Sequence, residues 1–111
     1  MREKVVVAGY GFVSPLGSDQ QTLWEHLVAG KSAVQTIDVM AGSRVSIAAR
    51  VQDFHLDLDE KESRKYDPFI RYAFQATHNA IQHSQIDPKL LATTRTAVVI
   101  SSGIGGLQTI Q

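Results

Sequence analysis

The sequence predicts an α/β chain, and three observations carry that expectation. Val5, Val6, Val7 and Ala8 form a short apolar, β-branched run, the pattern of a strand covered on both faces in a parallel sheet. A second such run, Thr96-Ala97-Val98-Val99-Ile100, stands near the other end. Between them, two segments place apolar residues at helical spacing. Strands that alternate with helices are how an α/β fold is written in sequence.

The first run breaks at Gly9-Tyr10-Gly11 and the stretch closes with Ser14-Pro15-Leu16-Gly17. The two glycines are expected to let the chain leave the strand through conformations that a Cβ resists. Strand followed by Gly-x-Gly invites a nucleotide-binding reading, which fails on inspection. The third glycine of a dinucleotide fingerprint would fall at Ser14, and Pro15 after it has no N–H for a phosphate. Gly30-Lys31-Ser32 looks like the end of a phosphate loop, but the glycine required five places earlier is Glu25.

Residues 18–29 read as the first helix. Ser18 with Gln21 has the form of a capping box. Leu23, Trp24, Leu27 and Val28 make one stripe, and Gly30 stands where a helix end favours a left-handed glycine. Trp24 is expected to pack this helix onto the sheet or a neighbour. His26 lies beside the stripe with no partner at ligand spacing and reads as structural or solvated.

Residues 31–42 read as irregular. From 43 to 54, Val45, Ile47, Ala49 and Val51 alternate with mostly polar residues, which suggests a half-exposed strand. Residues 53–60 are acidic and turn-like, with His55 alone among the carboxylates. These groups are strung along one segment with no second cluster to complete a coordination sphere, so no metal site is expected. Lys61, Arg64 and Lys65 then fall at i, i+3 and i+4, so a helical turn puts all three on one face. Taken by itself, such a face is a solvated basic surface.

Asp67-Pro68 opens the longer helix, with Asp as N-cap and Pro in the first turn. Phe69, Ile70, Ala73, Phe74, Thr77, Ala80 and Ile81 make the inner face; Arg71, Gln75, His78, Asn79 and Gln82 make the outer one. If the inner face is buried, truncating Phe74 costs about 3–5 kcal/mol. The helix ends near His83-Ser84-Gln85, and Asp87-Pro88 opens a short connecting turn. The strand at 96–100 exits through Ser101-Ser102-Gly103-Ile104-Gly105-Gly106, which has the form of an anion-binding nest but reads as a tight strand exit. A further helix begins at Leu107.

Composition narrows the function classes. At 111 residues the chain is at most one domain. Eleven basic residues balance eleven acidic ones, so no net field draws it to nucleic acid or an anionic membrane surface. With no cysteine, a disulfide scaffold, a thiolate metal site and a cysteine nucleophile within these residues are all excluded. No apolar run reaches the ~18 residues of a membrane span. No signal peptide is visible, and a cytoplasmic protein is expected.

The opening, Lys4-Val-Val-Val-Ala-Gly-Tyr-Gly-Phe-Val-Ser-Pro-Leu-Gly17, resembles the N-terminus of the β-ketoacyl-acyl-carrier-protein synthases, the elongating condensing enzymes of the thiolase-like superfamily. Trp24, Gly30-Lys31-Ser32, Arg64-Lys65-Tyr66-Asp67 and Ser102-Gly103-Ile104-Gly105-Gly106-Leu107 follow in the family's order. Ala8 stands where Thr is common and Ser101 where Gly is common. The resemblance covers nearly all of this chain and only the first part of the family's sequence.

The resemblance implies the N-terminal part of a thiolase-like α/β/α layered fold with a mixed sheet. In it, two later strands lie between those at Val5 and Ala97, and this chain contains neither. Residues 1–111 are therefore expected to be an incomplete N-terminal domain, completed by the remainder of the synthase or by a complementing chain, and a homodimer when complete. The implied reaction is elongation of fatty acids by decarboxylating Claisen condensation of malonyl-carrier protein with an acyl thioester. Its cysteine and two histidines lie beyond the last residue here, so no catalytic residue is assigned and the chain alone is expected to be inactive. No cofactor is expected. Lys61, Arg64 and Lys65, with Arg71 as a weaker candidate, match basic residues that dock acyl carrier protein, and Ile104 matches the residue that lines and gates the acyl pocket. The rival reading is a non-catalytic module that docks acyl carrier protein and does nothing more.

Overall fold

The computed structural model describes residues 2–38, 43–52, 54, 56, 59–93 and 95–107. His55 and the helix expected beyond Leu107 lie outside them. The chain divides into two compact units, one made of Met1–Phe12 with Leu56–Gln111, the other of Val13–His55.

In the unit Val13–His55, Ser14-Pro15-Leu16-Gly17 forms a tight turn. Gly17 N–H donates to the Ser14 carbonyl at 3.1 Å, and the Ser14 hydroxyl donates to the Gly17 carbonyl at 2.7 Å. Helix α1 (Gln20–Val28) follows. Its N-cap is Asp19, not Ser18: the Asp19 carboxylate accepts from Thr22 N–H at 2.9 Å. Gln21 turns instead along the helix to Glu25 at 3.0 Å, so no capping box forms. The two candidate caps are adjacent, and a carboxylate is the stronger acceptor for an orphan N–H. At the other end Gly30 is left-handed, with φ 63°. Gly30 N–H bonds to Leu27 O and Lys31 N–H to His26 O, which is a Schellman motif.

Strand β1 (Val34–Thr36) pairs antiparallel with β2 (Ile47–Ala49), in the register Val34↔Ala49, Gln35↔Ala48, Thr36↔Ile47. Ile37 N–H to Ser46 O at 2.8 Å extends the pairing. Only the middle of the alternating segment is strand. Its partner comes from residues expected to be irregular, because three residues carry no readable period and become a strand only when another lies opposite. Within β2, Ile47 remains 57% exposed and Ala49 is exposed while Ala48 is half-buried; of the expected apolar face only Val51, beyond the strand, is half-buried.

In the other unit, α2 (Glu60–Ser63), α3 (Pro68–Ser84) and α4 (Pro88–Leu91) follow in order. Pro68 stands in the first turn of α3, as its fixed φ favours, and Asp67 holds the N-cap position, where its side chain makes no capping hydrogen bond. The helix ends at Gln85, a non-glycine residue in the left-handed region at φ 54°. Asp87 caps α4 by accepting from Lys89 N–H at 2.9 Å.

Gly9 and Gly11 belong to a segment laid directly on α3. A Cβ on Gly9 would sit 2.5 Å from Ala80 O, and one on Gly11 would sit 2.1 Å from Ala76 O. Neither glycine has a positive φ. Close backbone approach, not an unusual conformation, is what demands glycine here. The contact half-buries Ala76, Asn79 and Ala80. Asn79, expected on the outer face, is thus turned toward the chain. Phe74, expected inside, is 51% exposed and meets Tyr66 edge-on at 5.9 Å. A loss of 3–5 kcal/mol on truncating Phe74 therefore requires a cover that these residues do not provide.

No described residue is fully buried. The two Val-rich runs are open to solvent, with Val5 at 92% and Val99 at 91% exposure, and neither joins a ladder among the described residues. Trp24, at 66% exposure, does not pack α1 onto a sheet. The apolar pattern of an α/β chain is present, but the surfaces that would cover it are not. The described helices and the single two-stranded sheet are too few to establish layers.

Candidate functional site

The basic cluster begins on α2. Backbone carbonyls and N–H groups build this turn: Ser63 N–H donates to the Asp59 carbonyl at 2.8 Å, and Lys65 N–H donates to the Glu62 carbonyl at 3.0 Å. Tyr66 N–H to Ser63 O continues the winding after α2 ends. Lys61, Arg64 and Lys65 are all exposed on this coiled stretch. Lys65 also forms an i,i+3 ion pair with Glu62, both side chains being about half exposed. An exposed pair of that kind contributes little to stability. Arg71 differs. It is half-buried in α3, and its Nε is buried with no hydrogen-bond partner.

Ile104 stands at the tip of a glycine turn and is 73% exposed. Gly105, at φ 81°, donates its N–H to the Ser102 hydroxyl at 2.9 Å. That amide is satisfied within the turn, which fits a strand exit better than an anion nest. Immediately before the turn, Val98, Ile100, Phe69, Ile70, Ala73 and Phe74 line an apolar groove of about 380 Å³, rimmed by Ser101 and Ser102. The groove places apolar surface beside the Ile104 loop in sequence.

Among the described residues no three His, Cys, Asp or Glu side chains gather to hold a metal. Two of the described histidines, His83 and His26, contact other elements of their own units. Tyr10 N–H donates to His83 Nδ1 at 3.4 Å, and the two rings lie 4.2 Å apart. His26 lies within reach of Leu16 O and Lys31 Nζ. Sequence reading missed both contacts, which join residues with no periodic relation. Asp19 is held below the ordinary carboxylate range, chiefly by the Thr22 N–H that its ionised form accepts. No described helix is long and apolar enough to cross a membrane.

Residues 2–111 match the family described as β-ketoacyl synthase, N-terminal domain. The chain is 39% identical over 114 residues to a 3-oxoacyl-[acyl-carrier-protein] synthase 2 of Coxiella burnetii, covering 99% of this chain and 28% of that protein. It is 33% identical over 113 residues to the protein of the same name from Staphylococcus aureus strain COL, covering 98% of this chain and 27% of that one. The chain thus spans just over a quarter of the length of the curated relatives it matches.

Proposed function

The chain belongs to the β-ketoacyl synthase family, and from that premise we propose that it is the N-terminal portion of a fatty-acid-elongating 3-oxoacyl-acyl-carrier-protein synthase. In this reading the whole enzyme is an acyltransferase, cytoplasmic and homodimeric. A cysteine thiolate takes the acyl group from its carrier thioester. Malonyl-carrier protein loses carbon dioxide as its C–C bond breaks, and the resulting carbanion attacks the enzyme thioester. The new C–C bond forms as the cysteine thiolate leaves. This chain has no cysteine, so its contribution is scaffold, carrier docking and pocket wall.

The observation that carries the reading is the family match along the whole chain, 2–111. The exposure of both Val-rich runs supports it physically. Unpaired apolar strands are marginal and prone to aggregate in water, so surfaces such as Val5 and Val99 call for further strands. We assign those strands to the remainder of the synthase or to a complementing chain. Lys61, Arg64 and Lys65 are the docking residues for acyl carrier protein, with Arg71 contributing less. Ile104 contacts the acyl chain.

Complementation tests this. The chain is co-produced with a segment that supplies the rest of a relative's sequence, including its cysteine. Formation of 3-oxoacyl-carrier protein, dependent on both pieces, is the expected result. A soluble one-to-one complex with no condensing activity would overturn the synthase reading. Carrier-protein binding without activity in that same complex would favour the docking module.

A further inference from the structure

His26 is held from two sides. Its Nδ1 lies 2.6 Å from the Leu16 carbonyl oxygen, and its Nε2 lies 3.1 Å from Lys31 Nζ. A carbonyl only accepts, so Nδ1 must carry the hydrogen. An ammonium only donates, so Nε2 must be bare. The neutral Nδ1–H tautomer is the single form of the ring that satisfies both neighbours.

The two contacts bracket α1. Leu16 belongs to the tight turn before the helix, ten residues ahead of His26. Lys31 is the residue whose N–H closes the Schellman motif, and that N–H bonds to the carbonyl of His26 itself at 2.9 Å. His26 is half-buried and lines a groove of mixed polar and apolar character, of about 440 Å³. Among the described residues, the charged groups lining this groove are Lys31, from the segment after α1, and Asp19, from the N-cap of α1; the Ser14-to-Gly17 turn, Gln35 and Gln52 add none.

We propose that His26 is a pH-responsive latch that ties the turn before α1 and the Lys31 side chain after it when neutral, and releases the Lys31 side chain when protonated, the Lys31 N–H staying on the His26 carbonyl. A proton from solvent enters at Nε2. It removes the acceptor that Lys31 uses and sets imidazolium against ammonium. The Nδ1–H bond to Leu16 survives, because a charged ring donates more strongly. Acidification therefore opens the Lys31 side alone, and the Ser14-to-Gly17 turn stays in place.

The experiment uses the complete, assembled protein labelled with ¹⁵N-histidine, followed from pH about 8 to about 5, the span over which imidazoles gain their second proton. His26→Asn identifies the His26 resonances by their loss. At the upper pH, His26 is expected to show a protonated Nδ1 and a bare Nε2; an Nε2–H tautomer would overturn the proposal. Melting temperature supplies the second reading. Lys31→Met should lower it at the upper pH and flatten its fall on acidification. His26→Asn keeps a side-chain N–H near the Leu16 carbonyl and should be equally flat. If Lys31→Met melts with the unaltered pH dependence of the parent, the latch does not exist.

Discussion

Gly11 and Ala76 meet backbone to backbone: a Cβ added to Gly11 would lie 2.1 Å from the Ala76 carbonyl oxygen. Real Cβ atoms do not come that near, and the obstacle is helix backbone, which cannot rotate away. With Gly9, whose added Cβ would lie 2.5 Å from the Ala80 carbonyl oxygen, the N-terminal segment meets α3 through two missing side chains.

Gly11→Ala is accordingly expected to push the segment off α3 and to cost about 1–3 kcal/mol or more, the range of overpacking in closed contacts. Urea unfolding of the assembled protein measures this. A change under about 0.5 kcal/mol, the size of a neutral surface substitution, would show that the contact yields.

Gln85 holds a left-handed conformation, at φ 54°, where a helix end ordinarily has glycine. Relief of the Cβ strain makes Gln85→Gly stabilising by about 1 kcal/mol. Its side chain makes no contact that the substitution need sacrifice for the cap itself, since the capping bond is the Gln85 N–H to Gln82 O at 3.3 Å. A lower melting temperature for the glycine variant would contradict this.

Asp19 caps α1 through its ionised carboxylate, and the Thr22 N–H lowers its pKa. A group whose folded-state pKa is depressed stabilises the fold above the ordinary carboxylate range and loses that contribution as pH falls through the depressed value. Asp19→Ala should melt earlier than the parent at neutral pH, with the gap closing in acid. Asp19→Asn retains a capping oxygen and should remove this acid dependence while keeping most of the neutral-pH stability. Thermal scans across acidic pH distinguish the two.

Lys61→Glu combined with Arg64→Glu should slow association with acyl carrier protein by about tenfold or more at low salt, because exposed cations act mainly on encounter with an acidic partner. Raising ionic strength should shrink the difference, as screening shortens the reach of surface charge to about a Debye length of 8–10 Å. Arg71→Ala should change the rate less, since that side chain is half-buried. Stopped-flow binding at two salt concentrations is the measurement. Equal rates for parent and double variant would remove the docking assignment.

Much was readable in advance where the cause is local. Pro68 at N1 of α3 and Gly30 closing α1 follow from backbone chemistry within a turn or two, whereas Asp87-Pro88, which reads as a connecting turn, opens the helix α4. The choice between Ser18 and Asp19 as cap was missed, because neighbouring acceptors compete by geometry that composition does not reveal. For the candidate site, a helical turn at Lys61 was legible from spacing, whereas the end of α2 before Arg64 and Lys65 and the half-burial of Arg71 were not.

By itself, the sequence determined the helices α1 and α3, the proline start of α3, the glycine close of α1, and membership of the β-ketoacyl synthase family, since helical period, Pro and Gly placement and motif order are all written along the chain. Tertiary structure alone decided that β2 pairs with Val34–Thr36, that Gly9 and Gly11 are small because α3 lies against them, and that the Val-rich runs stand open. Those outcomes depend on what sits opposite in space. A strand is completed by a partner's hydrogen bonds and a side chain is buried by its neighbours, and neither is a property of the residue that carries it.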